Sequence, residues 1–376
     1  MIKKQSNVRT LLITVATIAV FAALSVVAES VGSNVKGMSM LVPVLKKTAV
    51  YGLIAVSMNL LNGFTGLFSL GHAGFMLVGA YTYAILSIPV AKRAGVYQYY
   101  DGGIVQFSIP EIFGNLFGDT VGTVIGMMIT LIIAGLVAAF LAWLIGLPVL
   151  RLKSDYLAIA TLGFAEIIRT FIQYEGFAPL TNGSNTLRQY ASFDSLYAYV
   201  IVAGLCIAVI VLLVNSTYGR AFKAIRDDEI AAEAMGINLA KHKMMSFIIS
   251  SFFAGFGGGL MAMDMASVQA KSFTVSMTYE ILLIVVIGGI GSITGSLIGT
   301  FLFVGCSEWW LRFLDESANN IGGLKLLAPG FRMVVFSIFI MVIVLFFRRG
   351  LMGTKELPDL FKRRKKLSAK EAKTNE

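Results

Sequence analysis

The chain has 376 residues, 57% of them hydrophobic and 14% charged, with a mean hydropathy of +0.79 and a formal net charge of +10. Soluble domains carry about 25% charged residues, so this composition excludes an ordinary soluble fold and points to an integral membrane protein. The basic excess would suggest nucleic acid in a soluble chain. Here it sits in loops and a tail, where the positive-inside rule accounts for it, and no nucleic-acid partner is expected.

In chain order, apolar runs of roughly membrane-spanning length lie near 10–28, 120–147, 156–174, 196–214, 244–263 and 331–347. Two further regions, 48–89 and 278–310, are apolar but interrupted. NLLNGFTGLFSLGHAGF (59–75) breaks the first and GGIGSITGS (288–296) the second. Each broken region gives two segments, which brings the expected total to about ten. Cys206 and Cys306 fall in apolar segments and read as buried thiols, not a disulfide framework. The expected fold is all-α and polytopic: a transmembrane domain over 1–347 and a basic tail over 348–376.

Lys and Arg fix the orientation. Placing the N-terminus, 148–155, 215–243 and the tail on one side gathers twenty of the 31 basic residues there. That side is expected to be cytoplasmic, with both termini inside. Each broken region then starts and ends outside, as a pair of segments that dips in and returns. The layout repeats: a span, a broken pair and a span (10–28, 48–89, 120–147) match 244–263, 278–310 and 331–347, as parallel repeats about the membrane normal. Residues 1–28 also fit a signal peptide, with Lys3 and Lys4 before the apolar run. The repeat layout favours their retention. The tail, including 362–366 (KRRKK), reads as mobile and topogenic, within reach of anionic lipid.

The loop GRAFKAIRDDEIAAEAMGINLAKHK (219–243) is a charged island in this sequence. Asp227 and Asp228 suit a helix N-cap and first turn, and Gly236 suits a C-terminal cap. With Arg226, Glu229, Ala231, Ala232 and Glu233, they describe a short Ala-rich helix built to dock a partner. In the broken regions, irregular backbone is tolerated only where protein buries it or water reaches it, so paired breaks point to a substrate path. Asn59, Asn62, Thr65, Ser69 and His72 in the first break, with Ser292, Thr294 and Ser296 in the second, are the candidate path residues. They offer neutral hydrogen-bonding groups for a zwitterionic or uncharged solute. The competing reading makes Gly291, Gly295 and Gly299 a packing seam, with the polar groups as interhelical glue.

Glu166 and Arg169, spaced i,i+3 within a span, are either a functional intramembrane pair or a mutually neutralised one. His72 reads more readily as a satisfied structural histidine than as a proton handler, and a lone histidine makes no metal site. Asp264, Glu280 and Glu308 lie near expected outer ends and read as solvated. There is no Walker A sequence, and GGIGSITGS misses the dinucleotide spacing by one residue. No catalytic set, metal cluster or cofactor site is expected in this chain.

The segments GFTGLFSLGHAGFMLVGAYTYAIL (63–86), DYLAIATLGFAEIIR (155–169), GRAFKAIRDDEIAAEAMGIN (219–238) and IGGIGSITGSLIGTFL (287–302) resemble the permease subunits of branched-chain amino acid ABC transporters, of the LivM type. The resemblance implies an importer pore shared with a second, LivH-type permease in the bacterial inner membrane. It also implies two cytoplasmic ATPase subunits, which carry the ATP and Mg, and an extracytoplasmic solute-binding protein. Glu229, Ala231, Ala232, Glu233 and Gly236 would then form the coupling helix seated on an ATPase. The general importer pattern is Glu-Ala-Ala, three residues, then Gly, and here Ile230 stands at its first position. A urea or small-amide importer stays open as an alternative, as does a self-sufficient secondary transporter.

Overall fold

The computed structural model describes residues 40–311 except 101 and 153, residues 331–346, 350–353 and 356, and the isolated positions 23, 25, 26 and 29. The expected span at 10–28 lies almost wholly outside them, as does the tail beyond 356. The class is all-α as expected. Among the described residues the only strand pairing is two residues long, Leu187–Arg188 (β1) against Ser267–Val268 (β2), antiparallel.

The helices are α1 (Leu41–Asn59), α2 (His72–Ser87), α3 (Val90–Val96), α4 (Ile109–Phe117), α5 (Asp119–Val149), α6 (Ser154–Gln173), α7 (Ala178–Thr181) and α8 (Leu196–Asn215). They continue with α9 (Thr217–Asp227), α10 (Glu229–Ala234), α11 (Leu239–Met265), α12 (Val275–Gly288), α13 (Ile293–Gly305) and α14 (Phe331–Phe346). Among the described residues, five helical stretches are long and apolar enough to cross a membrane: Leu41–Phe64, α5, Tyr156–Gln173 in α6, α8 and α11. The pair α12 and α13, bent by 119°, adds one more broken span or a re-entrant loop. The expected total of about ten is therefore not reached in the described part.

The centre of the bundle is α11, which packs against α1, α2 and α5. It buries Phe247, Phe253, Phe256 and Leu260 against Leu53 and Met58 of α1 and Met76 and Tyr83 of α2. Lipid tails are as apolar as these side chains, so close packing holds such helices together more than water exclusion does. The GFGGG run at 255–259 supplies it. A Cβ at Gly258 would lie 2.1 Å from the Met76 carbonyl oxygen, so α2 and α11 touch backbone to backbone there. Both cysteines are free thiols.

The helices define two ends. The Lys46 ammonium reaches the Asp194 carbonyl at one end, where Lys47 also pairs with Glu308. At the other end α1 runs into Arg226 of α9. At 14 residues, α12 is about 21 Å long, short of the roughly 30 Å hydrocarbon layer, as expected of a segment in a broken region.

Candidate functional site

The two broken regions meet at the Arg226 end, and Asn59 joins them. Its amide nitrogen donates to the Ser292 carbonyl at 2.9 Å and to the Ser296 hydroxyl at 2.7 Å. Its side-chain oxygen accepts the Gly291 N–H at 2.8 Å. Asn59, Ser292 and Ser296 are completely buried. A buried amide that satisfies both its donor and acceptor sides in this way is a staple between two backbones.

Each break is shaped by its own sequence. After Asn59 the helix widens into a π-helical turn, Leu60–Phe64, then leaves helical geometry until His72. The Thr65 hydroxyl donates to the Leu60 carbonyl, and the Asn62 side-chain oxygen accepts the Ser69 N–H. Ser69 is buried, and its hydroxyl accepts the Gly71 N–H. His72 is buried, with Nε2 2.9 Å from the Ser57 hydroxyl. That hydroxyl donates to the Ile54 carbonyl, so the ring N–H is the donor to Ser57. His72 is thus a satisfied interior residue.

The second break is tighter. Gly289 and Gly291 have φ of +123° and +84°, conformations that side chains resist, and they reverse the chain between α12 and α13. Ser292 caps α13 by accepting the Gly295 N–H. The seam reading also has support, because a Cβ at Gly295 would lie 2.3 Å from the Gly288 carbonyl oxygen. Thr294 faces the C-terminal segment. Its hydroxyl and N–H both donate to the Glu356 carboxylate, which also accepts the Ile293 N–H. The N–H groups of Leu351 and Met352 donate to the carbonyls of Ile287 and Gly288. Residues 350–353 and Glu356, read from sequence as the start of a mobile tail, are packed on the second break. Nothing in their composition announced this; the one cue is an acid, Glu356, among bases.

The charged island folds as two helices. Asp228 is the N-cap of α10, its carboxylate accepting the N–H groups of Ile230 and Ala231. At the other end Gly236 has φ +81°, and the N–H groups of Gly236 and Ile237 donate to Glu233 and Ala232. This is the Schellman closure that the glycine suggested. Asp227 differs from expectation: it ends α9, and Glu229 is the acid in the first turn of α10. Ala232 packs inward, whereas Ile230 and Met235 are 82% and 83% exposed. Glu229 pairs with Lys243 of α11, holding α10 against the bundle.

Sequence reasoning missed α9, which carries the connection to the first break. Arg226 donates from Nη1 to the Gly63 carbonyl, and its Nε and Nη2 grip the Asp227 carboxylate. Lys223 lies 5.4 Å from the centre of the Phe64 ring. Island and first break are therefore hydrogen-bonded directly; the second break is bonded through Asn59, and its Gly291 also lies beside the Arg226 guanidinium. Glu166 and Arg169 pair with each other on half-exposed α6, and nothing brings them to the breaks.

The branched-chain amino acid transport system / permease component family matches residues 40–347. The high-affinity branched-chain amino acid transport system permease protein LivM of Escherichia coli is 31% identical over 314 residues, covering 74% of this chain and 66% of that protein. A probable branched-chain amino acid transport permease protein LivH of Methanocaldococcus jannaschii is 31% identical over 124 residues, 33% of this chain and 38% of that protein. The ribose import permease protein RbsC of Haemophilus influenzae is 27% identical over 216 residues, 53% of this chain and 61% of that protein. No solved structure matches the chain. A multi-pass membrane bundle with two joined broken regions and a family match over most of its length make this chain a member of the branched-chain amino acid transport system permease family.

Proposed function

We propose that this chain is the transmembrane permease subunit of an ATP-driven importer for branched-chain amino acids. It forms the translocation path with a second, LivH-type permease. Two cytoplasmic ATPases and an extracytoplasmic solute-binding protein complete the assembly. ATP is consumed on the partner subunits, and α10 receives their motion. The observation that carries this reading is the presentation of α10. It is capped at both ends, clamped to the bundle by Glu229 and Lys243, and leaves Ile230 and Met235 exposed among the described residues. Burying two such side chains against a partner contributes about 1.5–3 kcal/mol each, enough to seat a short helix firmly.

In this mechanism α9 acts as the lever. Movement of α10 pulls Arg226, which holds the Gly63 carbonyl, and Asn59 passes the displacement to the second break. The path then opens and closes at the Arg226 end, and the basic loops on that side support a cytoplasmic position for it. The names of the relatives favour branched-chain amino acids over urea or small amides. A self-sufficient secondary transporter would leave the exposed face of α10 without a purpose.

The test is leucine uptake and ATPase stimulation by the assembled complex carrying Glu233→Lys or Gly236→Pro. Proline cannot adopt φ +81°, and it removes the N–H that closes α10. Uptake is expected to fall about tenfold or more, a loss of at least about 1.4 kcal/mol in coupling. Wild-type uptake in both variants would remove the coupling role from α10.

A further inference from the structure

At the Lys47 end, a cavity of about 280 Å³ opens between α1, α11 and the start of α12, far from the joined breaks. Lys47 and Tyr51 of α1, Met261 and Asp264 of α11, and Met277 and Glu280 of α12 form its working walls. Its floor is apolar and buried: Met261 and Met277 are 7% and 6% exposed. Its rim is charged with both signs. From sequence, Asp264 and Glu280 read as solvated carboxylates at an outer end; the structure leaves Glu280 exposed and Asp264 partly exposed, and both line this one cavity.

Two features of this cavity are left unused by the fold among the described residues, and a third, Lys47, is only partly used. Tyr51 is 7% exposed and lines the cavity, and among the described residues its hydroxyl has no hydrogen-bond partner. A buried phenol normally finds a partner, so an unmatched one lining a cavity marks a place for a ligand. Asp264 and Glu280 make no ion pair or hydrogen bond among the described residues, although Lys47 is near both. Lys47 pairs with Glu308 while lying 5.6 Å from the Tyr51 ring centre, which leaves it at the cavity edge.

The geometry points to a receiving site for a zwitterionic α-amino acid with an aliphatic side chain. The ammonium would face Asp264 and Glu280, the carboxylate would face Lys47 and the Tyr51 hydroxyl, and the side chain would rest on Met261 and Met277. Two carboxylates near one ammonium explain why the cavity takes a zwitterion rather than a free acid. Methionine walls adapt to differently branched side chains, because the thioether is flexible and polarizable. The inference rests on the amino-acid importer reading above and adds a substrate site within this chain.

The test uses the assembled transporter in detergent with photo-leucine, a leucine bearing a diazirine, followed by peptide mapping. Labelling is expected on peptides containing Tyr51, Met261 or Met277. Excess L-leucine should suppress it, whereas 3-methylbutylamine and 4-methylpentanoate, each lacking one charge, should compete poorly. Asp264→Asn combined with Glu280→Gln should lower labelling about tenfold or more, as should Lys47→Met, as expected when charged partners in a site are lost. Labelling confined to other peptides would overturn the site even if a variant failed to fold, since the wild-type map alone decides it. Labelling that survives the double substitution, or that the amine alone suppresses fully, would overturn the zwitterion assignment. Leucine uptake by the same wild-type complex separates the two readings. Uptake without labelling here rejects only the cavity, and no uptake rejects the importer reading and the cavity together.

Discussion

The two broken regions do the same topological job by different means. The first is wide: a π-helical turn and a non-helical stretch of seven residues separate α1 from α2. Its tip is held by the island, through Arg226 on Gly63 and Lys223 on Phe64. The second is a glycine reversal with a bend of 119°, latched from outside by Glu356 and by the backbone of Leu351 and Met352. A wide break with a charged lever on it can move. A tight one with a carboxylate over its helix N-terminus resists movement. The difference assigns mechanical input to the first break and the stationary counterpart to the second, with Asn59 as the link.

Cutting the link should have the largest effect. Asn59→Leu leaves the buried Gly291 N–H without its acceptor, at about 1–3 kcal/mol, and takes one donor each from the Ser292 carbonyl and the Ser296 hydroxyl. The thermal unfolding midpoint in detergent should drop sharply. An unchanged midpoint would mean that the two breaks are held together by packing alone. Next comes the rigidity of the second break. Gly289→Ala forces a side chain into φ +123° and sets its Cβ 2.5 Å from the Gly353 carbonyl oxygen. A loss of about 2–3 kcal/mol is expected from backbone strain of this kind. The sharper contrast is Gly66→Ala in the first break. It also has positive φ but meets the Arg226 side chain at 3.0 Å, so it should disturb coupling more than stability.

Arg226→Met should separate the two breaks functionally. The Gly63 carbonyl loses a charge-assisted donor, worth about 1.5–3 kcal/mol, while the second break keeps its Asn59 hydrogen bonds. ATPase activity should then persist without matching leucine uptake. Loss of both together would place Arg226 in general folding and leave α9 without its lever role.

Much of this was legible in the sequence, and the gaps have physical causes. The caps of α10 could be read because Asp228 and Gly236 act through local backbone geometry. The glycine turn at 289–291 could be read for the same reason. The Asn59 staple could not: the sequence marks Asn59 as polar in an apolar run, but its partners lie 232 and 237 residues away. The helix α9 was hidden by its charges, which read as loop although Phe222 and Ile225 are buried on one face. The cavity that Asp264 and Glu280 share could not be read, because proximity to a span end says nothing of which neighbours gather around a side chain. Sequence periodicity reports faces, and sites made by contact between distant segments need the fold.

The smallest expected effect concerns the latch. Glu356 accepts the Ile293 and Thr294 N–H groups at the start of α13, where a negative charge is favoured by the helix dipole. Glu356→Gln keeps the shape and one acceptor but removes the charge, so the stability loss should be about 1 kcal/mol. The unfolding midpoint in detergent measures it, and the ionic strength of the buffer gives the discriminating arm. A charge-based latch weakens as salt is added, and the gap between wild type and variant should narrow. Thr294→Val, which keeps the charge but loses the hydroxyl contact, should show no such narrowing. If the wild-type midpoint is unmoved by Glu356→Gln at low salt, the second break owes its tightness to Gly289 and Gly291 alone. The contrast between a levered break and a latched one would then reduce to a contrast in backbone.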